Sequence, residues 1–265
     1  MCAPSGHGSD NGASVSAVVP DAKGRGAAAA DAELVKELAV ANRILFQQGV
    51  LDAFGHVSVR HDKDPNRFLL ARNMAPGLVT ATDIIEYDLD SNPLNADGRS
   101  VYLERFIHGE LYRARPDVMA VVHSHSPSVV PFGIVKGVPF RAAFHMAAFI
   151  GEATPIFEIR DVAGDETDLL IRDNRLGAAL AKTIGSGTLA LMRGHGATVV
   201  AGTLKMAVYR AVYTEGNARL QAEAMRLGPV TFLSAGEARS ANAMMETQVN
   251  RAWDLWRMKA EGKLP

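Results

Sequence analysis

A chain of 265 residues, 48% of them apolar, can form one large domain or two small ones around a substantial core. Its net charge of -1, without a basic cluster, argues against nucleic acid and anionic membrane as partners. No run of ~18 apolar residues could span a bilayer, and the single cysteine, Cys2, allows no internal disulfide, which points to a reducing cytoplasm.

Residues 1–30 are rich in Gly, Ala, Ser and Pro and lack the apolar stretch of a secretory signal. They read as a disordered tail, with the folded domain over 31–265. Asp31 opens a helix to about Gln48, with Leu34, Leu38, Ala41, Leu45 and Phe46 at helical spacing and Gly49 ending it. Val57–Arg60 and Phe68–Ala71 read as a hairpin across the turn Asp62–Asn66. A short turn at Thr82-Asp83 precedes a strand over Ile85–Leu89. Tyr102–Arg115 reads as one helix, stopped by Pro116. Val118–Val122 is a buried apolar strand, and Ser126-Pro127-Ser128 starts another helix. Leu176–Ile184 is a short helix and Thr188–Met192 a strand; Val199–Thr203 leads into a long helix over Leu204–Leu227, and a last helix spans Ser234–Lys259. Interleaved helices and strands imply one α/β domain on a mixed sheet.

The chemistry concentrates at His123-Ser124-His125, at the end of the apolar strand. Residues two apart share a face only on a strand, so the two imidazoles point together and can chelate a divalent ion. His195, in Gly194-His195-Gly196 after a second apolar strand, offers a third imidazole. Three histidines with an open position make a catalytic rather than a structural metal site. Glu104, near a helix start, can complete the metal shell or act as a general base. Taken alone, its position also fits simple complementation of a helix N-terminus. The donor set suits one zinc, manganese, cobalt or iron(II) ion per subunit. His61 and His108 read as ordinary surface or packing histidines, Tyr209 and Tyr213 as core, and Trp253 and Trp256 as core or subunit interface.

The segments Gly55–Arg60, Glu104, His123-Ser124-His125 and Gly194-His195-Gly196, in this order and spacing, resemble the class II aldolase/adducin family over residues 31–258. The resemblance implies a three-layer α/β/α domain with a central, largely antiparallel sheet, assembled as homotetramers with active sites between subunits. It makes His123, His125 and His195 the metal ligands and Glu104 a further ligand and the acid/base carboxylate. His145 stands where the sugar-phosphate aldolases carry a tyrosine acid, and is the second candidate catalytic residue. Those aldolases grip phosphate with small hydroxyl-bearing segments; here Phe54-Gly55-His56 and Tyr102-Leu103 replace them. A phosphate dianion needs several donors, so a sugar phosphate is disfavoured.

The match is best to a decarboxylating branch that includes 3-hydroxy-2-methylpyridine-4,5-dicarboxylate and 3,4-dihydroxyphthalate decarboxylases. It implies a metal-dependent lyase acting on an ortho-hydroxylated aromatic carboxylate. His56 and Tyr102 would meet such a substrate, and Arg60, Arg72 or Arg105 would hold a second carboxylate, since guanidinium pairs bidentately with it. Two alternatives stand beside this reading. One is an aldolase or dehydratase of a small hydroxy-carbonyl compound; the other is an adducin-like interaction module without catalysis.

Overall fold

The computed structural model describes residues 28–264; the reading of the N-terminal tail as disordered falls almost wholly outside them. Seven strands form one sheet: β1 (His56–Arg60), β2 (Arg67–Ala71), β3 (Ile84–Asp88), β4 (Ala120–Ser124), β5 (Ile156–Phe157), β6 (Leu189–Met192) and β7 (Gly196–Ala201). Their order is β3-β2-β1-β4-β7-β6-β5, antiparallel except for the edge pair of β5 with β6. Eight α-helices accompany them among the described residues: α1 (Ala32–Gln47), α2 (Phe106–Ala114), α3 (Val130–Ile134), α4 (Arg160–Ala163), α5 (Asn174–Ile184), α6 (Leu204–Leu227), α7 (Ala235–Glu246) and α8 (Val249–Ala260).

All residues of β1, β4, β6 and β7 are buried, as strands covered on both faces must be. Helices α1, α6 and α8 pack together on one face, while α2 and α5 pack on each other on the opposite one. The result is the expected three-layer α/β/α arrangement around a largely antiparallel sheet. The strand register sets which side chains meet. His56 pairs with His123 and Ser58 with Val121, so His56, Ser58 and His123 share the α2 face, and Thr198 joins them opposite His123.

Several elements differ from the sequence-based expectation. The helix expected over Tyr102–Arg115 is broken: Leu103–Arg105 form a 3-10 turn in which Glu104 leaves helical geometry (φ -90°, ψ 19°), and α2 starts at Phe106. The last helix splits into α7 and α8 at Thr247-Gln248. The helix after Ser126 starts later, at Val130, and is one turn long. Strand β5 has no counterpart in the sequence pattern, because two residues on an edge carry no periodic signal. Residues Gly196–Ala201 form a strand that returns from β6 through a tight turn, with Gly194 at φ +65°. Helix α6 matches its expected bounds, yet its buried side is polar as well as apolar. Asn217 and Gln221 use their side-chain amides to bond the backbone of residues 139–143, so this helix pins a loop as well as a core. Trp253 and Trp256 are buried within the chain itself, and the Tyr209 and Tyr213 rings lie 4.6 Å apart against the core.

Candidate metal centre

Four donor groups meet at the end of β4. The Nε2 atoms of His123 and His125 are 2.9 Å apart, and those of His125 and His195 also 2.9 Å. Glu104 Oε2 lies 3.4 Å from the Nε2 of both His123 and His195 and 3.9 Å from that of His125. Each side chain reaches this point from a different local setting. His123 is on β4 and His125 one step past its end; His195 sits in the β6–β7 turn, and Glu104 in the break before α2.

The outer atoms of these groups are tied down. His195 Nδ1–H donates to the Leu169 carbonyl at 2.9 Å, which leaves Nε2 bare for a cation. His123 Nδ1 lies 3.3 Å from Thr198 Oγ1, whose hydroxyl in turn donates to the Met192 sulfur. Glu104 Oε1 accepts the Ile171 N–H at 2.9 Å. Burial would raise the Glu104 carboxyl, but His123, aided by His125 and His195, holds it well below the usual carboxylate range. Burial brings His123 down to about 4, so its imidazole is neutral. Convergent bare nitrogens beside an ionised carboxylate are a donor set that a divalent cation fits, and all four ligand atoms lie within 4.8 Å of one another.

The cluster opens onto a cavity of about 630 Å³ whose wall includes Phe54, His56, Tyr102, Glu104, His125 and Arg172. That volume suits a small-molecule ligand. The Tyr102 ring lies tilted against that of His56, centroids 4.7 Å apart, and Tyr102 donates its hydroxyl to the Met74 carbonyl at 2.6 Å; burial pushes that phenol up to about 12. Among the described residues of this wall none is Ser or Thr, and the one hydroxyl, that of Tyr102, is already donated to the Met74 carbonyl.

His108, expected to be a simple packing residue, is instead part of a buried hydrogen-bonded chain. Tyr112 Oη meets Ser58 Oγ at 2.7 Å, Ser58 Oγ meets His108 Nδ1 at 2.6 Å, and His108 Nε2 meets His56 Nδ1 at 2.7 Å. The chain fixes the His56 ring at the cavity. Burial, with His108 and His123 nearby, lowers the His56 pKa well below its ordinary value, so it stands there neutral. A signal for this chain was present in the sequence. His108 and Tyr112 stand four residues apart on one face of α2, and His56 and Ser58 alternate along one strand face.

Of the three candidate arginines, the structure turns two to backbone carbonyls. Arg60 is buried, and its guanidinium donates to the carbonyls of Val118, Pro65, Tyr112 and Arg115 at the far end of β1 from His56. Arg105 is likewise buried, donating to the Ser91 and Tyr102 carbonyls and lying over the Phe106 ring. Both close backbone acceptors rather than face a ligand. Arg72 lies beside the cavity-lining Asn73 and Met74, with Nε on Asp83 at 2.7 Å. His145 is not brought to the cluster of its own chain. It stands on the 3-10 segment His145–Ile150, which packs on α6 and α7, and lines a separate cavity with Tyr209, Tyr213, Arg251 and Trp256.

The fold and this four-donor centre define an α/β domain of the class II aldolase type. The family model described as Class II Aldolase and Adducin N-terminal domain matches residues 36–222, and the chain belongs to that family. It is 39% identical over 241 residues to the decarboxylase tropJ of Talaromyces stipitatus, covering 82% of this chain and 90% of that protein. It is 31% identical over 205 residues to a 3,4-dihydroxyphthalate decarboxylase of Arthrobacter keyseri, covering 72% and 78%. Among solved structures, an L-fuculose 1-phosphate aldolase from Glaciozyma antarctica PI12 superposes with a TM-score of 0.72 at 21% identity, over 87% of this chain and 89% of that one. These relatives support an enzyme of the lyase type. No helix among the described residues is long and apolar enough to cross a membrane.

Proposed function

We propose that the chain is a divalent-metal-dependent decarboxylase of an ortho-hydroxylated aromatic carboxylate in a catabolic pathway. The observation that carries this reading is the Glu104–His123–His125–His195 cluster opening onto a cavity walled by Phe54, His56 and Tyr102. Relatives that are decarboxylases support it. A zinc, manganese, cobalt or iron(II) ion held by the cluster supplies Lewis acidity to substrate oxygens when bound.

The protein's own groups handle position and protons. Phe54 and Tyr102 offer flat apolar surface to an aromatic ring. His56, oriented by His108, meets a substrate oxygen. Glu104, ionised and at the cavity edge, takes the proton of the ring hydroxyl. The resulting phenolate pushes electron density onto the ring carbon that bears the departing carboxylate, and Glu104 returns the proton to that carbon to give a keto tautomer. The C–C bond then breaks, its electron pair restoring the aromatic ring and the phenolate as carbon dioxide leaves. Solvent then reprotonates the phenolate oxygen. In a homotetramer with sites between subunits, His145 serves the same proton transfer from a neighbouring subunit. The ligand is a small carboxylate, without nucleic acid or membrane, and the setting is the cytoplasm.

The test is carbon dioxide release from protein loaded with manganese or zinc, offered 3,4-dihydroxyphthalate and related hydroxylated aromatic dicarboxylates, with His123→Ala as control. Release by wild type, and a loss of about 100-fold or more in the variant, is expected. No release from any compound by metal-loaded wild type overturns the reading and favours aldol cleavage of a small hydroxy-carbonyl.

A further inference from the structure

With Arg60 and Arg105 turned to backbone carbonyls, the cavity still needs a cation for an anionic substrate. Among the described residues that line it, Arg172 carries the one guanidinium or ammonium group. Its backbone belongs to the loop 165–173, which the metal centre itself holds. The Leu169 carbonyl accepts from His195, and the Ile171 N–H donates to Glu104. Ile171 is fully buried, and Asp173 caps α5 by accepting the Leu176 N–H. Arg172 is thus pinned between an anchored residue and a helix cap. Leu169 adopts φ +70°, a left-handed conformation that a leucine rarely takes. Such strain persists where the surrounding contacts dictate it, and here it aims the carbonyl at His195.

The guanidinium pairs with Asp168, and both side chains are about half exposed, at 51% and 49%. An exposed pair of this kind contributes little and yields readily to a better-placed carboxylate. Guanidinium meets a planar carboxylate in bidentate fashion, which also orients it.

We propose that Arg172 is the specificity-determining residue that binds the carboxylate the substrate retains, so that the site selects aromatic dicarboxylates over monocarboxylates. This rests on the decarboxylase reading above. It places the departing carboxylate at Glu104 and the metal ligands, and the retained one at the 165–173 loop. The same loop couples anion recognition to the metal centre, because it orients one ligand and bonds another.

The experiment compares 3,4-dihydroxyphthalate with 2,3-dihydroxybenzoate, the same ring lacking the retained carboxylate, in wild type, Arg172→Met and Arg172→Lys. For the dicarboxylate, KM rises roughly 10–100-fold in Arg172→Met, the range for losing a hydrogen bond to a charged group, and kcat changes little. KM for the monocarboxylate stays within about 2-fold of wild type, and Arg172→Lys recovers part of the dicarboxylate effect. A merely structural role would move both substrates together, and that result overturns the proposal. Turnover of the dicarboxylate with an unchanged KM in Arg172→Met also overturns it while leaving the decarboxylase reading standing. Absence of turnover by metal-loaded wild type on both compounds overturns both.

Discussion

Replacing Gly196 by alanine tests how tightly the β4–β7 ladder sets the metal centre. An ideal Cβ at Gly196 falls 1.9 Å from the Ser124 carbonyl oxygen, 2.9 Å from its carbon and 3.1 Å from the His125 Cα. Real Cβ atoms do not come closer than 3.0 Å, so the two chains must separate by about 1 Å there. Both partners are backbone, and Ser124 pairs with Ala197 in the ladder, so no side chain can swing away to relieve the clash. Overpacking costs typically 1–3 kcal/mol, and backbone against backbone belongs at the upper end, about 3 kcal/mol. For a domain of this size that lowers Tm by roughly 6–12 °C. The displaced residues adjoin His125 and His195, whose Nε2 atoms are now 2.9 Å apart. A metal site tolerates only about 0.5 Å of such drift, so bound metal falls well below one ion per chain. Thermal unfolding and metal content by mass spectrometry read the two effects. Gly133→Ala is the control: its Cβ would meet nothing closer than 3.5 Å, and no change is expected. An unchanged Tm with one ion per chain in Gly196→Ala would refute this coupling of ladder to metal centre.

Two further outcomes rest on buried polar groups. Arg60→Met leaves the carbonyls of Val118, Pro65, Tyr112 and Arg115 without their donor and should lower stability by about 3 kcal/mol or more in urea unfolding, with KM unaltered; a raised KM with unchanged stability would return Arg60 to the substrate. Burial lowers the His108 pKa to about 3, against ~6.5 in the unfolded chain. The unfolded state therefore binds more protons between these values, so stability is full above about pH 6.5 and falls as the pH drops towards 3, by up to ~1.4 kcal/mol per unit. The His108 ring resonance should not titrate between pH 7 and pH 5; a midpoint near the ordinary histidine value would contradict its placement.

The metal ligands were readable from sequence because their signal is local. Strand alternation aims His123 and His125 together, an apolar run marks the strand beneath them, and flanking glycines mark the turn at His195. Helix α6 was equally readable from end to end, since 24 residues with no proline and the single glycine Gly216 leave little choice of state. The break at Glu104 was not readable. Leu103–Phe106 have ordinary helical composition, and the carboxylate is pulled out of the helix by the imidazoles and the Ile171 N–H, which arrive from elsewhere in the chain.

What the sequence alone determined was thus the inventory: three imidazoles and a carboxylate at positions where short-range periodicity controls direction, on a chain with the α/β alternation of a layered domain. Tertiary structure decided which charged groups face the cavity. Arg60 shares a strand with His56, yet points to the far end of that strand, where backbone carbonyls need donors. Arg172 lies in an irregular loop with no period to read, and it reaches the cavity because Glu104 and His195 hold the loop there. Periodicity fixes the side of an element a residue occupies; only the packing of distant elements sets what waits on that side.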